Sequence, residues 1–190
     1  MKRATKLVLA ITSAALLTGM SELQYTQYAP KDTGFPVAFE YPKGWPLDIE
    51  QGKIDPYQQI RIMGPQNSED SYHSYLVVLR APLQAEGKYS GTDAFLQNYK
   101  DHQLRRSEVL WERKATLGGL EAKDLLVQYT MPAWRHKDLH APEVPVKTRI
   151  IVTSDRNYLY QLMYSADARE FDTHAKTFEH LIETFRLAAQ

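Results

Sequence analysis

Apolar and polar positions alternate clearly at several points along the chain. In FPVAFEYP (residues 35–42), Phe35, Val37, Phe39 and Tyr41 alternate with Pro36, Ala38 and Glu40, the period of two that marks a strand with one buried face. PKGW (residues 42–45) turns the chain, because Pro42 fixes one torsion angle and Gly44 permits an unusual one. Leu47 and Ile49 predict a second strand, and Ile60 and Ile62 a third. SYLVVLRA (residues 74–81) is apolar on both sides, which predicts a strand covered on both faces. The period then changes. In GTDAFLQNYKDHQLRR (residues 91–106), Thr92 suits an N-cap and Asp93 the positive end of a helix dipole, while Phe95, Leu96, Tyr99 and His102 form a helical stripe.

Strand pattern resumes at Val109 and turns at Gly118-Gly119. Leu125, Val127, Tyr129 and Met131 then alternate with Leu126, Gln128 and Thr130. A Pro-rich loop follows. VKTRIIVT (146–153) and YLYQLMYS (158–165) predict a hairpin around SDRN, with Tyr158, Tyr160, Leu162 and Tyr164 on one face. In FDTHAKTFEHLIETFRL (171–187), Phe171, Ala175, Phe178, Leu181, Ile182 and Phe185 fall at helical spacing. An isolated helix of this length is marginal in water, so its apolar side must lie on the sheet. Strands, helix, strands, helix is the order of an α+β fold, an antiparallel sheet flanked by helices.

The start of the chain changes the picture of where this domain works. Lys2, Arg3 and Lys6 precede the apolar run Leu7 to Leu17, the layout of a secretory signal over residues 1–20, too short for a span of about 20 apolar residues. Leu16-Leu17-Thr18-Gly19 is what a lipoprotein signal peptidase reads before a cysteine, but Met20 stands there and has no thiol to lipidate. Two readings stay open: release by ordinary signal peptidase, with a cut after Ser21, or a native lipid anchor whose cysteine Met20 replaces. Either places the chain in the periplasm, or held on the outer side of the inner membrane or on the outer membrane. Residues 21–34 are expected to be a flexible linker, and 35–190 a single domain.

Charge and chemistry narrow the function classes. The chain has 23 basic and 23 acidic residues, and removing the three signal cations leaves 20 against 23. Nothing in that balance draws it to nucleic acid. The absence of cysteine excludes a disulfide scaffold and any thiolate metal site. There is no Gly-x-Ser-x-Gly elbow, and LGGL has the wrong spacing for a nucleotide loop. No catalytic residue and no cofactor are expected. In WRHKDLHAPEVP (134–145), His136 and His140 stand four apart, a spacing that puts two imidazoles on one helical face as a zinc site needs. Pro132, Pro142 and Pro145 bracket the segment and favour a loop, leaving adventitious zinc as the metal reading. Loops on a rigid sheet usually carry binding function, and Trp and Arg are the usual interface anchors, so Trp134 and Arg135 are the candidate partner surface. His174 and His180 stand six apart on the last helix and do not share a face, and His102 reads as a packing residue.

FEYPKGW (39–45), LGGLEAKDLLVQY (117–129) and YLYQLMYSADAREFDTHAKTFEHLIETFRL (158–187) together resemble the PsbP-like superfamily, which includes the PsbP subunit of photosystem II and the DcrB-type bacterial envelope lipoproteins. The resemblance spans residues 35–187. It implies a PsbP-like α/β/α sandwich and a non-enzymatic accessory or assembly role at membranes. Many bacterial members are lipoproteins, which agrees with LLTG and makes Met20 a departure. The expectation is an exported accessory protein that binds a protein partner in the envelope. One rival is a small-ligand sensor or carrier, with an apolar pocket between sheet and C-terminal helix lined by some of Tyr158, Tyr160, Phe178 and Phe185. The other is an enzyme, which needs polar groups with perturbed pKa values converging in a cleft.

Overall fold

The computed structural model describes residues 23–29, 35–51, 57–103, 107–133 and 142–187. In chain order the elements are β1 (Tyr25–Tyr28), β2 (Val37–Pro42), β3 (Leu47–Gln51), β4 (Gln58–Gln66), β5 (His73–Pro82), α1 (Thr92–Gln103), β6 (Glu108–Leu117), β7 (Leu120–Pro132), β8 (Glu143–Ser154), β9 (Tyr158–Asp167), α2 (Phe171–Thr184) and β10 (Arg186–Leu187). Seven strands form one sheet in the order β3-β4-β5-β9-β8-β7-β6, and β1, β2 and β10 form a second. All neighbouring strands are antiparallel. The α+β architecture expected from the period changes is the one observed.

Alternation decides which residues face which layer. On β9, Tyr160, Leu162, Tyr164 and Ala166 join Val37 and Phe39 of β2 and Phe178 and Leu181 of α2 in the largest core cluster. On the opposite face, Val77, Leu79, Ile150, Val152, Leu125 and Val127 meet Phe95 and Leu96 of α1. Strand β5 is therefore buried on both sides, as its unbroken apolar run predicts. Helix α1 is tied to the far edge of the sheet by ion pairs from Lys100 to Glu112 and from Lys123 to Asp93.

Turns follow their local chemistry. Gly118 and Gly119 have φ of 57° and 83°, the pair of positive values that a two-residue hairpin turn with the twist of its strands requires. At the β8–β9 turn, Asp155 Oδ1 accepts hydrogen bonds from the backbone N–H groups of Asn157 and Tyr158, both at 2.7 Å. Trp45, which ends the first turn, lies so close to Gly64 that an added Cβ there would meet its ring at 2.6 Å.

The linker expected over 21–34 needs correction in part. Residues 25–28 form β1, pairing from Tyr25 opposite Pro42 to Tyr28 opposite Phe39. The reason is aromatic contact: Tyr28 stacks on Phe39 at 4.9 Å and Tyr25 on His180 at 3.7 Å. At the other end of the chain, β10 pairs with Val37 and Ala38, so β2 carries strands from both ends.

Candidate functional site

The interface between the large sheet and α2 is closed. Tyr160, Phe178 and Phe185 are fully buried, and Tyr160 packs edge-on to Phe185 at 6.3 Å. Tyr164 donates to the Phe171 carbonyl at 2.7 Å and Tyr160 to Asp155 Oδ2 at 3.0 Å. Burial pushes the Tyr160 phenol up to about 12 and raises Tyr164 as well. Half-buried Tyr158 lies under the Arg80 guanidinium, 3.4 Å from its ring centre. The place between sheet and C-terminal helix where the ligand-carrier rival puts an apolar pocket is filled by Tyr160, Phe178 and Phe185 themselves.

Two buried carboxylates are neutralised by arginines. Asp124, 1% exposed, accepts from Arg149 Nε at 3.0 Å and from Arg113 through Nε and one terminal nitrogen. Arg149 also reaches Glu179, and the Trp111 ring lies within 4.3 Å of the Arg113 guanidinium and 5.5 Å of that of Arg149. Burial works to lower the Arg149 pKa, but the hydrogen bonds to Asp124 and Glu179 prevail and raise it. Asp167 accepts from Arg169 Nε at 3.0 Å and Asn67 Nδ2 at 2.7 Å. Hydrogen bonds from Arg169 outweigh the effect of burial and hold its carboxyl at about 2. Asn67 Oδ1 in turn accepts from the backbone N–H groups of Ser71 and Tyr72, so this cluster staples the β4–β5 turn to the corner before α2. Charges paired this closely support structure rather than proton transfer.

The α1 side is open. Helix α1 packs over β8 and leaves beside it a cleft of about 270 Å³. Its walls are Tyr75 and Leu79 from β5, Gln161 and Met163 from β9, Tyr129 from β7, Phe95, Asn98 and Tyr99 from α1, and Lys88 and Tyr89 from the loop before the helix. A second cleft of about 190 Å³, reaching Gln59 and Arg61, shares Tyr75 and Met163 as a common wall. Behind the first cleft runs a row of hydroxyls: Tyr129 to Thr148 at 3.2 Å, Thr148 to Ser165 at 2.8 Å, and Ser165 to Tyr72 at 2.8 Å. Burial raises the pKa of Tyr72, Tyr99 and Tyr129, so these phenols stay protonated. The larger cleft is lined by no Asp, Glu, His, Ser or Thr. Such walls offer no nucleophile beside a base.

Met20, Trp134, Arg135, His136 and His140 lie outside the described residues. The stems of the segment that carries the last four do not: the Ala133 N–H donates to the Pro142 carbonyl at 3.0 Å, and Ala133 packs with Tyr72, Val144 and Val146. The two described stems therefore lie beside Tyr72 of the hydroxyl row. His174 and His180 stay apart, as their spacing implies. His174 meets Trp45 edge-on at 5.7 Å and burial lowers its pKa, whereas His180 Nε2 lies 2.7 Å from Glu40. Among the described residues no three metal-ligating side chains come together, and no helix is long and apolar enough to cross a membrane. Sequence reasoning missed the cleft. Its one advance signal is the abundance of tyrosine, 12 in the chain, on elements that periodicity alone assigns to packing.

No protein-family model and no curated protein matches the chain in sequence. Solved structures match its shape. Cyanobacterial PsbP (CyanoP) from Synechocystis superposes with a TM-score of 0.56 at 16% identity, covering 89% of this chain and 95% of that one. LpqN of Mycobacterium tuberculosis, involved in cell envelope biogenesis, gives 0.55 at 18% identity over 88% of this chain and 92% of its own. The Ran-binding protein Mog1p of Saccharomyces cerevisiae gives 0.52 at 11% identity, with 87% and 96% covered.

Proposed function

We propose that this chain, whose fold is the PsbP-like one, is an exported, non-enzymatic accessory or assembly protein of a bacterial cell envelope that acts by holding a protein partner. The observation that carries this reading is the internal pairing of its buried charge. Asp124, Asp167 and Arg149 are all neutralised by neighbours, so these buried charges serve the fold rather than a converging reactive site. Proteins of the same fold fit that role: LpqN in envelope biogenesis and Mog1p in binding Ran.

Trp134 and Arg135 are the contact residues of this reading, on a connection whose stems are fixed by the β7–β8 ladder. Zinc at His136 and His140 is adventitious, and the N-terminal 20 residues direct export, with Met20 leaving the chain without lipid as written. The test is affinity capture from envelope extracts with a tagged full chain, parent against Trp134→Ala/Arg135→Ala. The expected result is one or a few proteins recovered by the parent and lost from the double variant. Equal recovery by both removes the loop from the reading, and a tagged chain that stays in the cytoplasm removes export.

A further inference from the structure

We propose that the outer edge of β6 pairs with the same strand of a second copy of this chain, joining the two large sheets across a two-fold axis. Strand β6 ends the seven-stranded sheet, and among the described residues no strand covers its outer side. An open edge of this kind is a template for further pairing. Which of its groups face outward follows from the hairpin beside it. A two-residue turn is closed by hydrogen bonds between the residues that flank it, here Leu117 and Leu120. The alternation of an antiparallel ladder then aims the N–H and C=O groups of Thr116, Lys114 and Glu112 away from β7. An independent contact agrees. The Glu121 carbonyl, on the residue opposite Thr116, points the other way and accepts from Thr153 of β8 at 2.6 Å. Glu112, Lys114 and Thr116 are all exposed, so the row is accessible.

Charge selects the second copy as the occupant and sets the register. Strands related by a two-fold axis pair reciprocally, so residue i meets j and j meets i. Placing Arg113 on the axis sets Glu112 opposite the partner's Lys114, and Lys114 opposite the partner's Glu112. Opposite charges directly across a ladder stabilise it, and like charges destabilise it. Sliding the partner by two residues, the smallest step that keeps the edge groups facing, puts Glu112 on the partner's Glu112 or Lys114 on the partner's Lys114. A longer slide towards Glu108 runs into the bulge between Val109 and Trp111, which ends the flat edge. Lys114 also gains most from a new carboxylate. It stands opposite Lys123 in the β6–β7 ladder, and Asp93 pairs with Lys123. Arg113 meets its own copy at the axis, but Asp124 already neutralises it at 3.0 Å and the Trp111 ring lies against it. The other edge of the sheet offers no such match. Strand β3, LDIEQ, carries two acids and no cation, so two copies would repel there.

The inference stands apart from partner capture, since it needs neither Trp134 nor Arg135. Its test is sedimentation equilibrium of the full chain. One short ladder buries little area, so the expected result is a reversible dimer with a dissociation constant on the order of 10–100 μM. Lys114→Glu leaves only carboxylates at the paired positions and Glu112→Lys only ammonium groups, and each is expected to weaken the dimer at least about tenfold. Mixing the two variants sets opposite charges face to face again, and a mixed dimer close to the parent's affinity is expected. Lys114→Pro probes the backbone. It deletes an N–H that β7 does not use, so the circular dichroism of the fold should be kept while the dimer is lost. If that variant does not fold, the charge variants decide. A parent that stays monomeric well above that concentration range, a dimer that Lys114→Glu leaves intact, or a mixture that does not pair again overturns the proposal, whether the edge then proves bare or taken by an extended segment of another protein.

Discussion

On the α2 face of the large sheet, the hydroxyls of Tyr160 and Tyr164 end on protein acceptors, while on the α1 face Tyr99 lines a cleft. The residue type is the same and the surroundings decide its use. A fourteen-residue helix and the three-stranded sheet together seal one face, whereas a twelve-residue helix leaves part of the other uncovered. Coverage therefore separates the tyrosines of a closed core from those that line a cleft.

That contrast can be broken most forcefully at Phe178. Phe178→Ala removes a fully buried ring from beneath α2 and is expected to cost about 3–5 kcal/mol. Urea unfolding measures this, and a loss below about 1 kcal/mol would mean the sealed face is loosely packed. A smaller effect comes from the corner that fastens α2. Asp167 has a folded pKa of about 2 against 3.8 for an ordinary aspartate. A depressed carboxylate contributes stability that is present above the unfolded pKa and lost as pH falls from about 4 towards 2, here about 2 kcal/mol. Asp167→Asn should flatten the stability profile across that acid window; an unchanged slope refutes the assignment. The finest comparison sets two hydroxyl deletions side by side. Tyr164→Phe removes a buried hydrogen bond and is expected to cost about 1 kcal/mol, whereas Tyr99→Phe, which removes none among the described residues, should stay within about 0.5 kcal/mol. Equal losses by denaturant titration would erase the distinction between the two faces.

The sealed face was largely legible beforehand. Its residues repeat every two positions on β9 and at helical spacing on α2, and such periods are local properties of the chain. The three-stranded sheet was not. The YTQY of β1 is half polar and β10 has two residues, so their pairing depends on the free edges of β2 and on rings such as His180 that lie far away in sequence. The cleft was hidden for a related reason. Tyr75, Tyr99 and Tyr129 sit on three separate elements, and each obeys the period of its own element. Nothing in the local pattern tells whether a phenol finds an acceptor. Trp134, Arg135, His136 and His140, which stood out in the sequence, fall outside the described residues, so they enter as proposals rather than as geometry.

Strand β2 is where the first and last strands of the domain meet, with Glu40 N–H donating to Thr184 across 144 positions and Leu187 lying opposite Val37. A ribosome releasing this chain in order would therefore display Val37 and Phe39 long before their covering helix exists. The interior closes only once residues as far as Leu187 have emerged.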